Sequence, residues 1–357
     1  MSQHSQRLCF AISMLLFLMG CAASPTPTPT PAPLPKELAF YDWPDDIPQA
    51  VLDAFQKEYG VHITYNSYAS QDEAITSLRA GQAGDVIVLE NEFVPVATGE
   101  GLLAEIDYTR VPNFKNISPN FRDLVYDPGN RHVIPFNWGT TGIVSRSDLV
   151  TGTISSWKDL WDEQYAGKVI ISSEPRYAIG IALKSLGYSI NSEDPIQVNA
   201  ATARLIELKP RLNLIADDEV QAAPALTSGK AVIGSGYAGT VLRARQDTPA
   251  IAYVIPKEGT LLWGDNFAIP LRSAHKEAAE LLLNFLLRPE ITAQIVNANY
   301  YATPNDAARP LLLPEILQDP VIFPPEQDLA KAEIVLPLSP AGKKLYADAW
   351  GRFMSAQ

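Results

Sequence analysis

Thiols are almost missing from this sequence: 357 residues hold two cysteines, Cys9 and Cys21, both in the first 21 positions. The remainder has no disulfide framework, no CxxC redox pair and no cysteine-ligated metal site. Histidine is nearly as scarce. His4 lies at the extreme N-terminus, and His62, His132 and His275 are scattered without zinc-ligand spacing. No GxSxG nucleophile elbow and no HExxH motif occur, so the common hydrolase and metalloprotease signatures are absent. Positive charge is in deficit, with 28 Lys and Arg against 40 Asp and Glu and a formal net charge of −12. That balance argues against nucleic-acid binding, which uses a basic patch, and suits a cationic partner. What is plentiful is apolar residues, 46% against 19% charged, the composition of a folded globular protein. A chain this long exceeds one comfortable core and suggests two lobes.

The N-terminus carries a more specific signal. Arg7 precedes the apolar run "CFAISMLLFLMG", too short to span a bilayer comfortably but built like an export signal. "LMGC" (Leu18 to Cys21) resembles the lipobox of bacterial lipoproteins. The resemblance implies a signal peptide over 1–20, cleavage before Cys21, acylation of Cys21 and tethering to a membrane face. "AASPTPTPTPAPLPK" follows, a Pro/Thr tract expected to form a stiff, polyproline-like spacer over 21–36.

From Lys36 onward short apolar strands alternate with amphipathic helical stretches, an α/β pattern. "ELAFYDW", "VHITYNSYA" and "DVIVL" read as strands, the last apolar enough to be buried on both faces. Between them, "PQAVLDAFQKEYG" and "QDEAITSLRAGQAG" read as helices. A second series starts at "SSWKDLW", expected to open a helix with Ser156 as N-cap and Asp159 three residues on. It continues as strand "GKVIIS", helices "YAIGIALKSLG" and "PIQVNAATARLIELKPRL", and strands "GKAVIGSG" and "AIAYVIP". "HKEAAELLLNFLLRPEITAQIVNANYY" supplies one or two long helices. "GSGYAG" (Gly234 to Gly239) matches GxGxxG, but no ribose-binding acid follows in a βαβ unit. It is read as a strand-to-helix turn where backbone approaches a ligand or another strand, and no cofactor is expected.

Aromatic residues recur beside carboxylates at strand ends. "YDWPDD" holds Tyr41, Asp42, Trp43, Asp45 and Asp46; "VLENEF" holds Glu90, Glu92 and Phe93; "SSEPRY" holds Glu174 and Tyr177; "LLWGDN" holds Trp263 and Asp265. Open α/β sheets place ligands at such ends. An ammonium leaving water needs acceptors and a compensating charge, and a ring face attracts it by roughly 0.5–2 kcal/mol. Acids at intervals with rings between them therefore suit a linear polycation. The pair Tyr300 and Tyr301 is read as one packing ring and one cleft-facing ring, with phenolate binding of ferric iron as the competing reading.

In "SSWKDLWDEQYAGKV", "ALKSLGYSIN", "IPKEGTLLWGDNFAIP", "LLLNFLLRPEI" and "YATPNDAAR", taken in order, the chain resembles the bacterial extracellular polyamine-binding proteins, the spermidine/putrescine receptors of ABC importers. The similarity runs from about Leu38 to the C-terminus. It implies an α/β, two-lobe type II periplasmic-binding-protein fold with ligand between the lobes. Crossings would fall near "WGTTGIVSR" and "DNFAIPL", with lobe 1 formed by 37–141 and 267–320 and lobe 2 by 142–266 and 321–357. It implies a monomeric, non-catalytic receptor outside the cytoplasmic membrane that closes on a polyamine and delivers it to an ABC permease. Trp43, Trp263, Asp265 and Tyr301 match the family's contacts, with Asp265 holding a buried amine. Asp45 and Glu174 keep acids, and Tyr237 keeps a ring where spermidine binders use Trp. Tyr177 replaces a carboxylate, Asp46 falls where a ring is usual, and Glu90 and Glu92 bring charge to another wall. The trio Asp217, Asp218 and Glu219 finds no counterpart. Competing readings are the same fold with ferric iron, thiamine or another organic amine. An exported hydrolase using Glu90, Glu92 and Asp265 and a lipoprotein with a vestigial cleft complete the set.

Overall fold

The computed structural model describes residues 33–216 and 219–356. The expected signal, Cys9, Cys21, most of the Pro/Thr tract, and Asp217 and Asp218 lie outside the described residues.

The opening is a βαβαβ unit. Strand β1 (Glu37–Asp42) is followed by helix α1 (Gln49–Tyr59), strand β2 (His62–Ser67), helix α2 (Gln71–Ala80) and strand β3 (Val86–Glu90). Helix α1 buries Val51, Leu52 and Phe55, one helical face, and stops at Gly60, whose φ of 72° suits a residue without Cβ. Helix α2 starts at Ser70, whose side chain accepts from the Glu73 amide (3.3 Å). Strand β3 buries Val86 to Leu89 on both faces, as its unbroken apolar run requires.

After helix α3 (Val94–Gly99) comes strand β4 (Val133–Arg146), fourteen residues long. The second half then runs through strand β5 (Val169–Ser172), helices α4 (Pro175–Ser185) and α5 (Pro195–Leu208), strand β6 (Leu212–Ala216) and helix α6 (Glu219–Thr227). Strand β7 (Ile233–Tyr237), helix α7 (Ala238–Asp247), strand β8 (Ile251–Val254) and strand β9 (Leu261–Ala268) follow. Helices α8 (Lys276–Leu286) and α9 (Pro289–Asn299), short helices α10 (Pro314–Leu317) and α11 (Glu326–Leu329), strand β10 (Glu333–Ile334) and helix α12 (Pro340–Ser355) complete the described chain.

The strands pair in the order β2-β1-β3-β9-β4-β7-β5-β6, with β8 also on β4 and β10 on β9. Strands β1, β2 and β3 are mutually parallel, as are β5, β6 and β7, so each half carries its own parallel set. Strands β4 and β9 are antiparallel to each other over Val133–Thr141 and Leu261–Ala268, and they join the halves. Strand β9 pairs with β3 at Asp265 to Ala268, while β4 pairs with β7 at Thr141 to Ser145.

Two main cores flank this junction. The first gathers Leu38, Phe40, Phe55, Ile134, Phe267 and Phe285. The second gathers Ile143, Trp157, Ile179, Leu205, Ile233 and Phe353. Each is fed by strands and helices of one half, which gives the α/β, two-lobe architecture.

Two local expectations are corrected. "SSWKDLW" forms the full capping box at Ser156, yet the turn is a 3-10 helix over Trp157–Trp161, because Asp162 is already extended (ψ 135°). "PIQVNAATARLIELKPRL" is not helical throughout. Helix α5 ends at Leu208, a 3-10 turn spans Lys209–Arg211 around Pro210, and Leu212 opens β6. Proline supplies no amide to continue the ladder. The Gly234 to Gly239 segment does lie at a strand-to-helix turn, from β7 into α7. A Cβ at Gly234 would strike the Ile170 carbonyl on the neighbouring strand.

Candidate ligand-binding cleft

Strand alternation builds the acidic floor. Along β1, Leu38, Phe40 and Asp42 share one face and all three are 0% exposed, so the last position of an apolar stripe is a carboxyl. Asp42 Oδ1 accepts from the Trp43 amide (2.8 Å), while Oδ2 is buried with no hydrogen-bond partner. In β9, Asp265 lies opposite Glu90 of β3 on one side and Asn137 of β4 on the other. Asp265 is buried, and the Trp43 indole donates to its Oδ1 (3.4 Å). Trp43 thus touches two acids, one through its amide and one through its ring. Asp46 is also buried and receives the Asn137 amide at Oδ2 (3.2 Å).

Burial lifts the pKa of four carboxyls here, joined by carboxylate repulsion at Asp42, Glu90 and Glu92. Burial pushes Asp265 up to about 7, opposed by hydrogen bonds from Trp43 and Asn137. Asp42 stands well above the carboxylate range through burial first, then the charges of Asp46 and Asp265. Glu90 is raised well above it by burial and by Asp265, Glu92 and Glu174. Glu92 reaches about 7 through burial, with Arg176 pulling it down and Glu174 pushing it up. Asp42, Glu90 and Asp265 make no ion pair with any described residue. Buried carboxyls in this state hold protons or call for an external cation.

A row of rings lies alongside. Tyr177 packs edge-on against Tyr237 (centroids 5.7 Å), Tyr237 against Trp263 (5.9 Å) and Trp263 against Tyr301 (5.1 Å). Trp43 meets Tyr68 at 4.8 Å on the acidic side. Trp263 lies over Gly139, where a Cβ would overlap the ring, and its indole nitrogen is buried without a partner. Tyr300 caps α9 with φ 63°, and Tyr301 turns toward Trp263. Among the described residues, no cluster of His, Cys, Asp and Glu has metal-binding geometry.

The fold therefore brings together Trp43, Glu90, Glu92, Tyr177, Tyr237, Trp263, Asp265 and Tyr301. Asp45 and Glu174 are placed differently. Asp45 sits exposed in a turn with φ 62°, and Glu174 is an exposed residue at the N-cap of α4 whose charge still reaches Glu90 and Glu92. Sequence reasoning placed Asp42 in the first acid–aromatic cluster without a ligand role, and it passed over Arg176. The period-2 stripe Leu38, Phe40, Asp42 was a usable signal for the first. For Arg176, which enters from another helix, no local signal exists.

Comparison with known proteins identifies the family. Residues 50–325 match the family described as bacterial extracellular solute-binding protein. A spermidine/putrescine-binding periplasmic protein of Salmonella typhimurium is 35% identical over 299 residues, 83% of this chain and 85% of the relative. A putrescine-binding periplasmic protein of Escherichia coli is 29% identical over 343 residues, 90% and 92% of the two chains. Among solved structures, the spermidine/putrescine ABC transporter substrate-binding protein PotD of Streptococcus pneumoniae superimposes with a TM-score of 0.82 at 29% identity, covering 90% of this chain and 99% of that one. By its family match, its two-lobe fold and its relatives, this chain belongs to the bacterial extracellular solute-binding proteins.

Proposed function

We propose that this protein is an extracytoplasmic receptor that binds a polyamine, spermidine or putrescine, between its lobes and hands it to an ABC permease. The observation that carries this reading is the acid group Asp42, Glu90 and Asp265, with Asp42 and Asp265 buried and Glu90 half-buried, which lacks any counter-cation among the described residues. An ammonium supplies the missing charge and its own donors, and the adjoining rings pack against the methylenes between amines. The relatives' names point to the same ligand class. The proposed contact set is Trp43, Glu90, Tyr177, Tyr237, Trp263, Asp265 and Tyr301, to which we add Asp42; Glu174 contributes its charge to Glu90, whereas Asp45 faces solvent in its turn and Glu92 lies 3.6 Å from Arg176. The proposed lobes are 37–141 with 267–320 and 142–266 with 321–357. Nothing in the site pairs a nucleophile with a base, and the receptor acts by closure, with no turnover. Acylation at Cys21 would hold a monomer at the membrane face.

Thermal denaturation with and without polyamines tests the ligand. Spermidine or putrescine at 100 times its Kd adds about 2.7 kcal/mol to the folded state by mass action. A melting temperature indifferent to every polyamine, with a response to ferric iron or thiamine, would reassign the ligand.

A further inference from the structure

Glu92 differs electrostatically from the other acids of the cleft. It follows β3, whose side chains belong to the first lobe, and its Oε2 lies 3.6 Å from Arg176 Nε. Arg176 is in the first turn of α4, beside Tyr177 and Ala178 of the second core. Its guanidinium is pinned from behind. One terminal nitrogen donates to the Ile190 carbonyl, the other to Asn191 and to the Leu336 carbonyl (3.1 Å), and the group lies 5.4 Å over the Tyr346 ring. The remaining donor, Nε, is buried without a hydrogen-bond partner, on the edge that Glu92 approaches. Arg176 is itself 8% exposed, so its charge is directed into the protein. The other charges acting on Glu92 are Glu174 and Asp72, which repel it, and Lys343, which attracts it.

We infer that Arg176 withdraws Glu92 from ammonium recognition and that the pair forms a latch across the cleft, leaving Asp42, Glu90 and Asp265 to read the ligand's charge. The ligand half of this statement rests on the polyamine reading above, whereas the latch half does not. Two consequences separate a latch from a ligand contact. Losing a latch changes the shape of the empty protein, because an attraction between the lobes is gone. Losing an ammonium acceptor leaves the empty shape alone and weakens the complex.

The experiment compares the purified wild-type protein with Glu92→Ala. Small-angle X-ray scattering without ligand reads the shape, and calorimetric titration with putrescine and with spermidine reads affinity. A larger radius of gyration for Glu92→Ala, with a Kd weakened by less than about five-fold, is the expected result. An unchanged radius of gyration overturns the latch. A Kd weakened by thirty-fold or more, comparable to the loss from Asp265→Asn, overturns the withdrawal of Glu92 from recognition. A wild-type protein that binds neither polyamine fails the ligand reading, while the scattering comparison still decides the latch.

Discussion

Replacing Asp265 by asparagine should make the empty protein more stable and the receptor useless. Asp265 ionises in the folded state with a pKa of about 7 instead of its ordinary 3.8, burial being the main cause. For a carboxyl with a raised folded pKa, the penalty is absent below the unfolded value. It grows as pH climbs from about 4 to 7 and is complete above that. At about 1.4 kcal/mol per pKa unit, the penalty is at most about 4 kcal/mol at pH 8. Asparagine keeps an acceptor for the Trp43 indole and carries no charge, so a large part of that penalty is relieved. For a chain of this size, roughly 2 °C per kcal/mol gives a melting temperature higher by roughly 3–6 °C at pH 8. At pH 4 the difference should vanish, because the buried carboxyl is protonated there. Thermal denaturation at both pH values, with and without spermidine, measures all of this. The stabilisation by spermidine should be lost in the variant. Asp45→Asn, in the exposed turn at φ 62°, is the control and should change neither stability nor binding, since asparagine tolerates that backbone. A variant less stable than wild type at pH 8, or equally stabilised at pH 4 and 8, would refute the electrostatic account.

Polyamine affinity should rise with pH: binding requires ionised Asp265, so Kd should tighten about ten-fold between pH 6 and pH 8. Titration in buffers of different ionisation enthalpy should find proton release near pH 7, and a flat Kd with no release contradicts the raised pKa. Gly139→Ala should displace the Trp263 ring, weaken ligand binding and cost about 1–3 kcal/mol of stability, seen in tryptophan emission and denaturant titration. Ser156→Ala removes both the Lys158 amide acceptor and the donor to Glu258 Oε1 (2.6 Å), and should destabilise the protein by about 1–2 kcal/mol without changing affinity.

How far the sequence reaches is visible in the acids. Asp265 was legible because it interrupts an apolar strand beside a tryptophan, a placement that is costly without a purpose. The stretch "YDWPDD" was ambiguous, with three acids in six residues. The turn that sends Asp45 outward and Asp46 inward is set by backbone geometry after Pro44. Counting by twos from Leu38 selects Asp42 as the acid that continues the buried face of β1. The opening βαβαβ unit was readable because each element is local and capped. Strands β4 and β9 were visible only as crossings, since a strand buried among partners from both halves has no distinctive pattern of its own. Arg176 stands on a different footing. Its partners are 14, 15, 160 and 170 residues away, and no local pattern encodes a charge balance assembled at that separation.

The two strands that pass between the lobes are hydrogen-bonded to each other from Val133–Ala268 to Thr141–Leu261. Mechanically they are one ribbon, where two separate tethers would allow each lobe to slide, swivel and tip. A paired ribbon resists sliding, because that would break its ladder of bonds, and yields most easily by bending across its width. The closure proposed above would thereby be confined to little more than one degree of freedom, with both walls of acids and rings arriving on the same arc each time. A receptor that captures a flexible, featureless chain gains from this constraint. A polyamine would bring almost no shape of its own, so on the proposed reading the reproducible geometry has to come from the hinge.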